Sequence, residues 1–108
     1  MRKLNLKDYQ ITGKAKSAEG KIIDVTGPYK VKDSILNLMF SRDLQLSGAE
    51  LVKQNVLATK IETCKDDFIL LEDEEYERIK RAFDTFKGFG RNDVELVTRI
   101  QEAQIEKT

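Results

Sequence analysis

The hydrophobic period of this chain changes at Gly27-Pro28, and that change limits the folds open to it. Upstream, Tyr9 and Ile11 alternate with Gln10 and Thr12, and Ile23 and Val25 alternate with Asp24 and Thr26. Period two is the signature of a strand with one face covered. The link AKSAEGK carries Gly20, which supplies the positive φ of a hairpin loop, and proline then stops the ladder. Downstream the spacing becomes three to four, the period of helices. A chain that begins as a β-hairpin and continues as helices packs as α+β. At 108 residues it makes one domain, 1–108, with a basic hairpin over 1–31 and a helical part over 32–104. Apolar parity slips between Leu4/Leu6 and Tyr9/Ile11, which a bulge near Lys7–Asp8 or a frayed end explains.

The helical part reads as about four short helices. Val31, Ile35, Leu38 and Met39 share one face, with Leu36 and Phe40 beside it. Ser47, with Glu50 three residues on, has the pattern of a capping box and opens a helix running to about Thr63. That helix has two apolar stripes. Leu51, Leu57, Ala58, Ile61 and Cys64 form one; Ala49, Val52 and Val56 form another on a different side. One stripe meets the core and the other is a candidate interface, unless the fold buries both. Phe68 to Leu71, between acidic flanks near 67–71, is a short strand added to the hairpin or an extended linker pinned by Phe68 and Leu70.

Asp73 is placed to cap a third helix that is acidic at its start and basic at its end, which complements the helix dipole. Glu74–Arg78 and Glu77–Arg81 are i, i+4 pairs on it, and Tyr76, Ile79, Phe83 and Phe86 are its apolar stripe. Gly88 suits the left-handed position after the helix, with Phe89 folding back on the helix end. Asn92 and Glu95 form a box for a last helix lined by Leu96, Val97, Ile100 and Ala103; the tail IEKT frays, with Ile105 able to pair. The expected core is Ile11, Val25, Ile35, Leu38, Met39, Leu51, Leu57, Ile61, Leu70, Ile79, Phe83, Leu96 and Ile100.

Composition narrows the chemistry. The chain has no histidine, which removes histidine-based nucleophilic catalysis and the usual zinc ligands. Its one cysteine, Cys64, lies on an apolar stripe, excludes an internal disulfide and fits a reducing cytoplasm. Asp66-Asp67 and Glu72 to Glu75 lack calcium-loop spacing, and adjacent carboxylates on a helix diverge. Gly88-x-Gly90 follows a helix, unlike a phosphate-binding glycine run. These readings predict no catalytic residue, no metal and no cofactor: a protein other than an enzyme. The start MRKLNLKDYQ lacks a signal-peptide core, and no apolar run is long enough to cross a membrane, so a cytoplasmic protein is expected.

Charge sums to zero but is uneven. Residues 1–32 hold eight Lys/Arg against three Asp/Glu, whereas residues 33–75 hold four against ten. Such polarity favours self-association or a polarised partner. Three runs over about residues 30–100, VKDSILNLMF, ELVKQNVLATKIETC and LLEDEEYERIKRAFDTFKGFGRNDVELVTRI, resemble small proteins encoded in bacteriophage and prophage genomes. The resemblance implies an accessory or assembly protein of the host cytoplasm or virion, contacting a virion or host protein, and brings no residue roles. The first functional reading is therefore a homo-oligomeric interaction module using Ala49, Val52 and Val56. The alternative is a nucleic-acid-binding regulator using Lys14, Lys16, Lys21, Lys30 and Lys32, against which stand the zero net charge and the acidic start of the last helix.

Overall fold

The first strand is separate from the hairpin. In the computed structural model, which describes residues 1–105, β1 (Arg2–Asn5) is the centre of a three-stranded antiparallel sheet. On one side it pairs with β4 (Phe68–Leu71), in the register Leu4↔Ile69, and on the other with β5 (Gln104–Ile105). Leu4, Ile69 and Leu71 point inward and are buried, so Leu70 and Phe68 fall on the outer face, about 40% and 46% exposed. Leu70 thus leaves the expected core, and the 67–71 strand adds to β1, not to the hairpin. The parity slip at Lys7–Asp8 is the crossing between two sheets, not a bulge: Leu6 N–H donates to Asp67 C=O at 2.7 Å, and the Asp8 carboxylate accepts from Val31 N–H at 2.9 Å. Ile105 pairs with Arg2; the rest of the IEKT tail lies outside the described residues.

β2 (Tyr9–Lys16) and β3 (Ile22–Tyr29) form the hairpin, in register from Tyr9↔Tyr29 to Lys16↔Ile22. Gly20 takes φ +84° in its turn. Only the base of this hairpin is packed. The chain measures 52 × 33 × 23 Å, and its radius of gyration is 15.9 Å. A compact chain of this length has about 13 Å, so the arm stands away from the body. Val25 is accordingly exposed and Ile11 half-buried, which removes both from the expected core.

The helices pack as their periods require. α1 (Val31–Met39) buries Val31, Ile35, Leu38 and Met39. Ser47 Oγ accepts from Glu50 N–H at 3.2 Å and opens α2 (Gly48–Thr63), which buries Gln54, Leu57, Ala58 and Ile61. Leu51, expected inside, is 48% exposed at the border of that face. α3 (Asp73–Thr85) buries Tyr76, Ile79, Ala82 and Phe83. Its cap is one residue earlier than expected: Glu72 N–H donates to Glu75 Oε1 at 2.8 Å. Glu74–Arg78 closes at 3.6 Å, while Glu77–Arg81 forms no ion pair among the described residues.

At the end of α3, Gly88 has no positive φ. The chain leaves through extended Phe86, whose ring lies where a Gly88 side chain would begin, 2.7 Å from an added Cβ. Phe89 does fold back, stacking on Phe83 at 5.7 Å and meeting Phe86 edge-on at 4.9 Å. α4 (Val94–Gln101) follows a 3₁₀ turn, Arg91–Asp93. Asp93, not Asn92, holds the N-cap position of α4 but makes no side-chain capping bond there; its carboxylate accepts from Gly90 N–H at 2.8 Å and closes the 3₁₀ turn, and Glu95 pairs with Arg99 instead of closing a box. Among the described residues, no helix is long and apolar enough to cross a membrane.

Candidate interaction surfaces

α2 presents two faces because its apolar residues fall on both sides of the wheel. The face built by Leu57, Ala58 and Ile61 meets the core. The opposite face carries Val52 and Val56, each 66% exposed, with Ala49 beside them. Thr59 and Thr63 extend this line, giving 49-52-56-59-63, alternating steps of three and four like the seam of paired helices. Their hydroxyls are already engaged: Thr59 Oγ1 donates to Asn55 C=O at 3.0 Å, and Thr63 Oγ1 to Thr59 C=O at 2.9 Å. The outer face therefore needs no partner polar group from whatever covers it. Ala49, Val52 and Val56 were legible as a stripe; the two threonines were missed because they count as polar, although their spacing continues the seam.

The five lysines do not form one surface. Lys14 and Lys16 share the polar face of the hairpin, and Lys21 sits at its turn. Lys14 pairs across the strands with Asp24. Lys30 reaches Asp8 at 3.5 Å, and Lys32 donates to the Cys64 carbonyl. Both lie at the base, in a surface cavity of about 450 Å³ where Lys7 and Lys65 are matched by Asp8, Asp33, Asp66 and Asp67. The mixture leaves no net positive groove for a phosphate chain.

The base of the hairpin is latched to α4. Tyr9 and Tyr29 stack at 4.6 Å. Tyr9 Oη donates to Asn92 C=O at 2.8 Å, and Tyr29 Oη to Asp93 Oδ1 at 2.5 Å. The Arg99 guanidinium covers the Tyr9 ring at 5.1 Å and donates to Lys7 C=O at 2.6 Å. Burial, and then the hydrogen bond to Asp93, push the Tyr29 phenol up to about 12; burial also raises Tyr9.

Elsewhere the charged groups are structural. Arg78 joins α2 and α3, 2.7 Å from Glu50 and 3.6 Å from Glu74, and its hydrogen bond holds the Glu50 carboxyl below the usual range. Cys64 is half-buried, its thiol 3.5 Å from Phe68 C=O. No group of three or more His, Cys, Asp or Glu among the described residues is arranged to hold a metal ion. The acids Asp66-Asp67 and Glu72 to Glu75 flank β4 and begin α3, where they do not converge. The class these features define is an α+β domain with a projecting arm. Comparison with protein-family models, with curated proteins and with solved structures finds no match.

Proposed function

We propose that this protein is a non-enzymatic interaction module that self-associates through the outer face of α2, with an accessory or assembly role. The observation that carries the reading is the exposed seam of Ala49, Val52 and Val56, continued by the back-bonded Thr59 and Thr63. A second copy is the occupant the seam favours. The alternating spacing is self-complementary, and no charged residue lies on the seam to require a countercharge. Covering a valine this exposed contributes about 1–2 kcal/mol per side chain, roughly 4–8 kcal/mol gross for the two valines of each copy, which favours association but must be set against the cost of ordering two chains.

The test is sedimentation velocity at micromolar concentration on Val52→Asp and Val56→Asp. Each side chain is mostly in solvent, so the fold is retained, with the wild-type far-ultraviolet dichroism and a cooperative melt, while the sedimenting mass falls. If the mass is unchanged, or if both variants unfold, the outer face is not a self-contact. Nucleic-acid binding through the lysines is the less supported alternative, since Lys14, Lys30 and Lys32 have partners within the chain.

A further inference from the structure

The hairpin arm ends in an unfinished sheet. A two-stranded hairpin in water is marginally stable, and three or more strands or a packed face are normally needed. This arm has eight-residue strands and is held only at its base. One of its faces is apolar, with Ile11, Val25, Ala15 and Ile23 in cross-strand contact order. Val25 and Ile23 remain 44% and 46% exposed.

The hydrogen-bond phase shows which edge is open. Ser17 N–H donates to Lys21 C=O across the turn, at 2.8 Å. Antiparallel pairs alternate between hydrogen-bonded and non-bonded, so Lys16↔Ile22, Lys14↔Asp24, Thr12↔Thr26 and Gln10↔Pro28 are the non-bonded pairs. Their backbone groups face outward. On β3 this places Pro28, which has no N–H, on the outer edge and blunts it. On β2 the outward groups of Gln10, Thr12, Lys14 and Lys16 keep both donor and acceptor. Beside the base of β2, a groove of about 580 Å³ opens between Tyr9–Thr12 and Arg91, Val94 and Glu95.

From this we infer that β2 pairs with β2 of a second copy across a two-fold axis, completing a four-stranded sheet. Charge disfavours one register. With Thr12 opposite Thr12 of the second copy, Gln10 meets Lys14, and no like charges on the two strands face each other. Sliding the strands until Lys14 opposes Lys14 sets like charges face to face, which is destabilising. An antiparallel partner in the Thr12 register also sets its Thr12–Ala15 segment along the groove beside Tyr9–Thr12, and by symmetry each arm fills the other's groove. This contact is independent of the α2 seam.

Two variants test it. Thr12→Pro removes an outward N–H without removing a bond between β2 and β3, so the hairpin survives. Loss of the two axial bonds raises the dimer dissociation constant by roughly a hundredfold. In the Val52→Asp background, the chain sediments as a dimer, and adding Thr12→Pro yields a monomer. A Val52→Asp chain that is already monomeric overturns the β2 contact. A wild-type dimer that ignores Val52→Asp but is dispersed by Thr12→Pro retains the β2 contact and removes the α2 reading. The register is tested by oxidative crosslinking in a Cys64→Ala background. Bonded antiparallel pairs have Cα atoms about 5.5 Å apart, within disulfide reach. Thr12→Cys therefore crosslinks to itself and Gln10→Cys does not. Equal crosslinking at both positions overturns the register.

Discussion

Gln54 is the buried polar side chain on which the junction of three helices depends, and its replacement gives the sharpest stability test. The last carbonyls of a helix have no partner within the helix. Met39 ends α1 and is fully buried, so water does not reach its carbonyl; the Gln54 amide does, donating from Nε2 at 3.0 Å. The other end of the amide faces Arg78 Nη1 at 3.5 Å, a long contact that contributes little, since Arg78 also has Glu50 and Glu74. Gln54→Leu keeps the volume and leaves the Met39 carbonyl unpaired. The penalty for such a buried group is about 1–3 kcal/mol, reduced to about 1–2 by the apolar gain of leucine. For a chain of this length 1 kcal/mol corresponds to about 4 °C, so the melting temperature falls by roughly 4–8 °C. Thermal and urea unfolding followed by circular dichroism measure it. Gln54→Glu refines the test. At neutral pH it sets a carboxylate against the carbonyl and is worse than leucine; once protonated, the acid donates to Met39. Its folded pKa is then raised above the unfolded value, so its contribution is present below about pH 4 and is lost as pH rises through the folded pKa. A Gln54→Leu protein within 0.5 kcal/mol of wild type would refute the reasoning, because the carbonyl would then have another partner.

Two more outcomes follow from the same geometry. Leu71→Ala, at a fully buried position of β4, costs about 2–5 kcal/mol, and Leu70→Ala, on the outer face, costs less than half of that in urea unfolding; equal costs would mean that the β4 register is wrong. Tyr29 is held protonated by burial and by Asp93, so its stabilising contribution is complete below its ordinary value near 10 and is lost as pH rises toward about 12. Absorbance titration should find a late tyrosine step that Asp93→Asn moves to lower pH, and an unmoved titration would detach Asp93 from the latch.

The helices were legible because their periods are complete within short windows. Val31, Ile35, Leu38 and Met39 need only one another to define a face, and Ser47–Glu50 defines a start from four residues. The failures came where a distant segment decides. Leu4 and Leu6 look like the start of the hairpin until residues more than sixty positions on take them, Leu4 pairing with Ile69 and Leu6 N–H donating to Asp67 C=O. An apolar run such as Phe68–Leu71 has no internal alternation, so only its pairing with β1 reveals that Ile69 and Leu71 face inward. At the α3 end, Gly88 fits two devices, a left-handed turn or space for a ring, and the Phe86 ring settled it. Of the site, the Ala49, Val52 and Val56 stripe was legible and the arm edge was not, since Lys14 and Lys16 read as surface charge until Ser17–Lys21 fixed the hydrogen-bond phase.

The two candidate contacts differ in a way that bears on assembly. The α2 seam lies on a helix that buries its opposite face in the body, so its geometry is rigid. The β2 edge lies on an arm joined to the body by a tyrosine stack and two phenol hydrogen bonds. A protomer with one isologous contact stops at a dimer. One with two different isologous contacts continues, because each new copy presents the face its neighbour has not used. Whether such a chain closes into a ring or runs on depends on the angle between the two axes, and here that angle is set by the Tyr9–Tyr29 latch against α4. On the two proposed contacts, the latch is therefore the part of this small fold where a loss of a fraction of the stability would change the size of an assembly before it changed the fold.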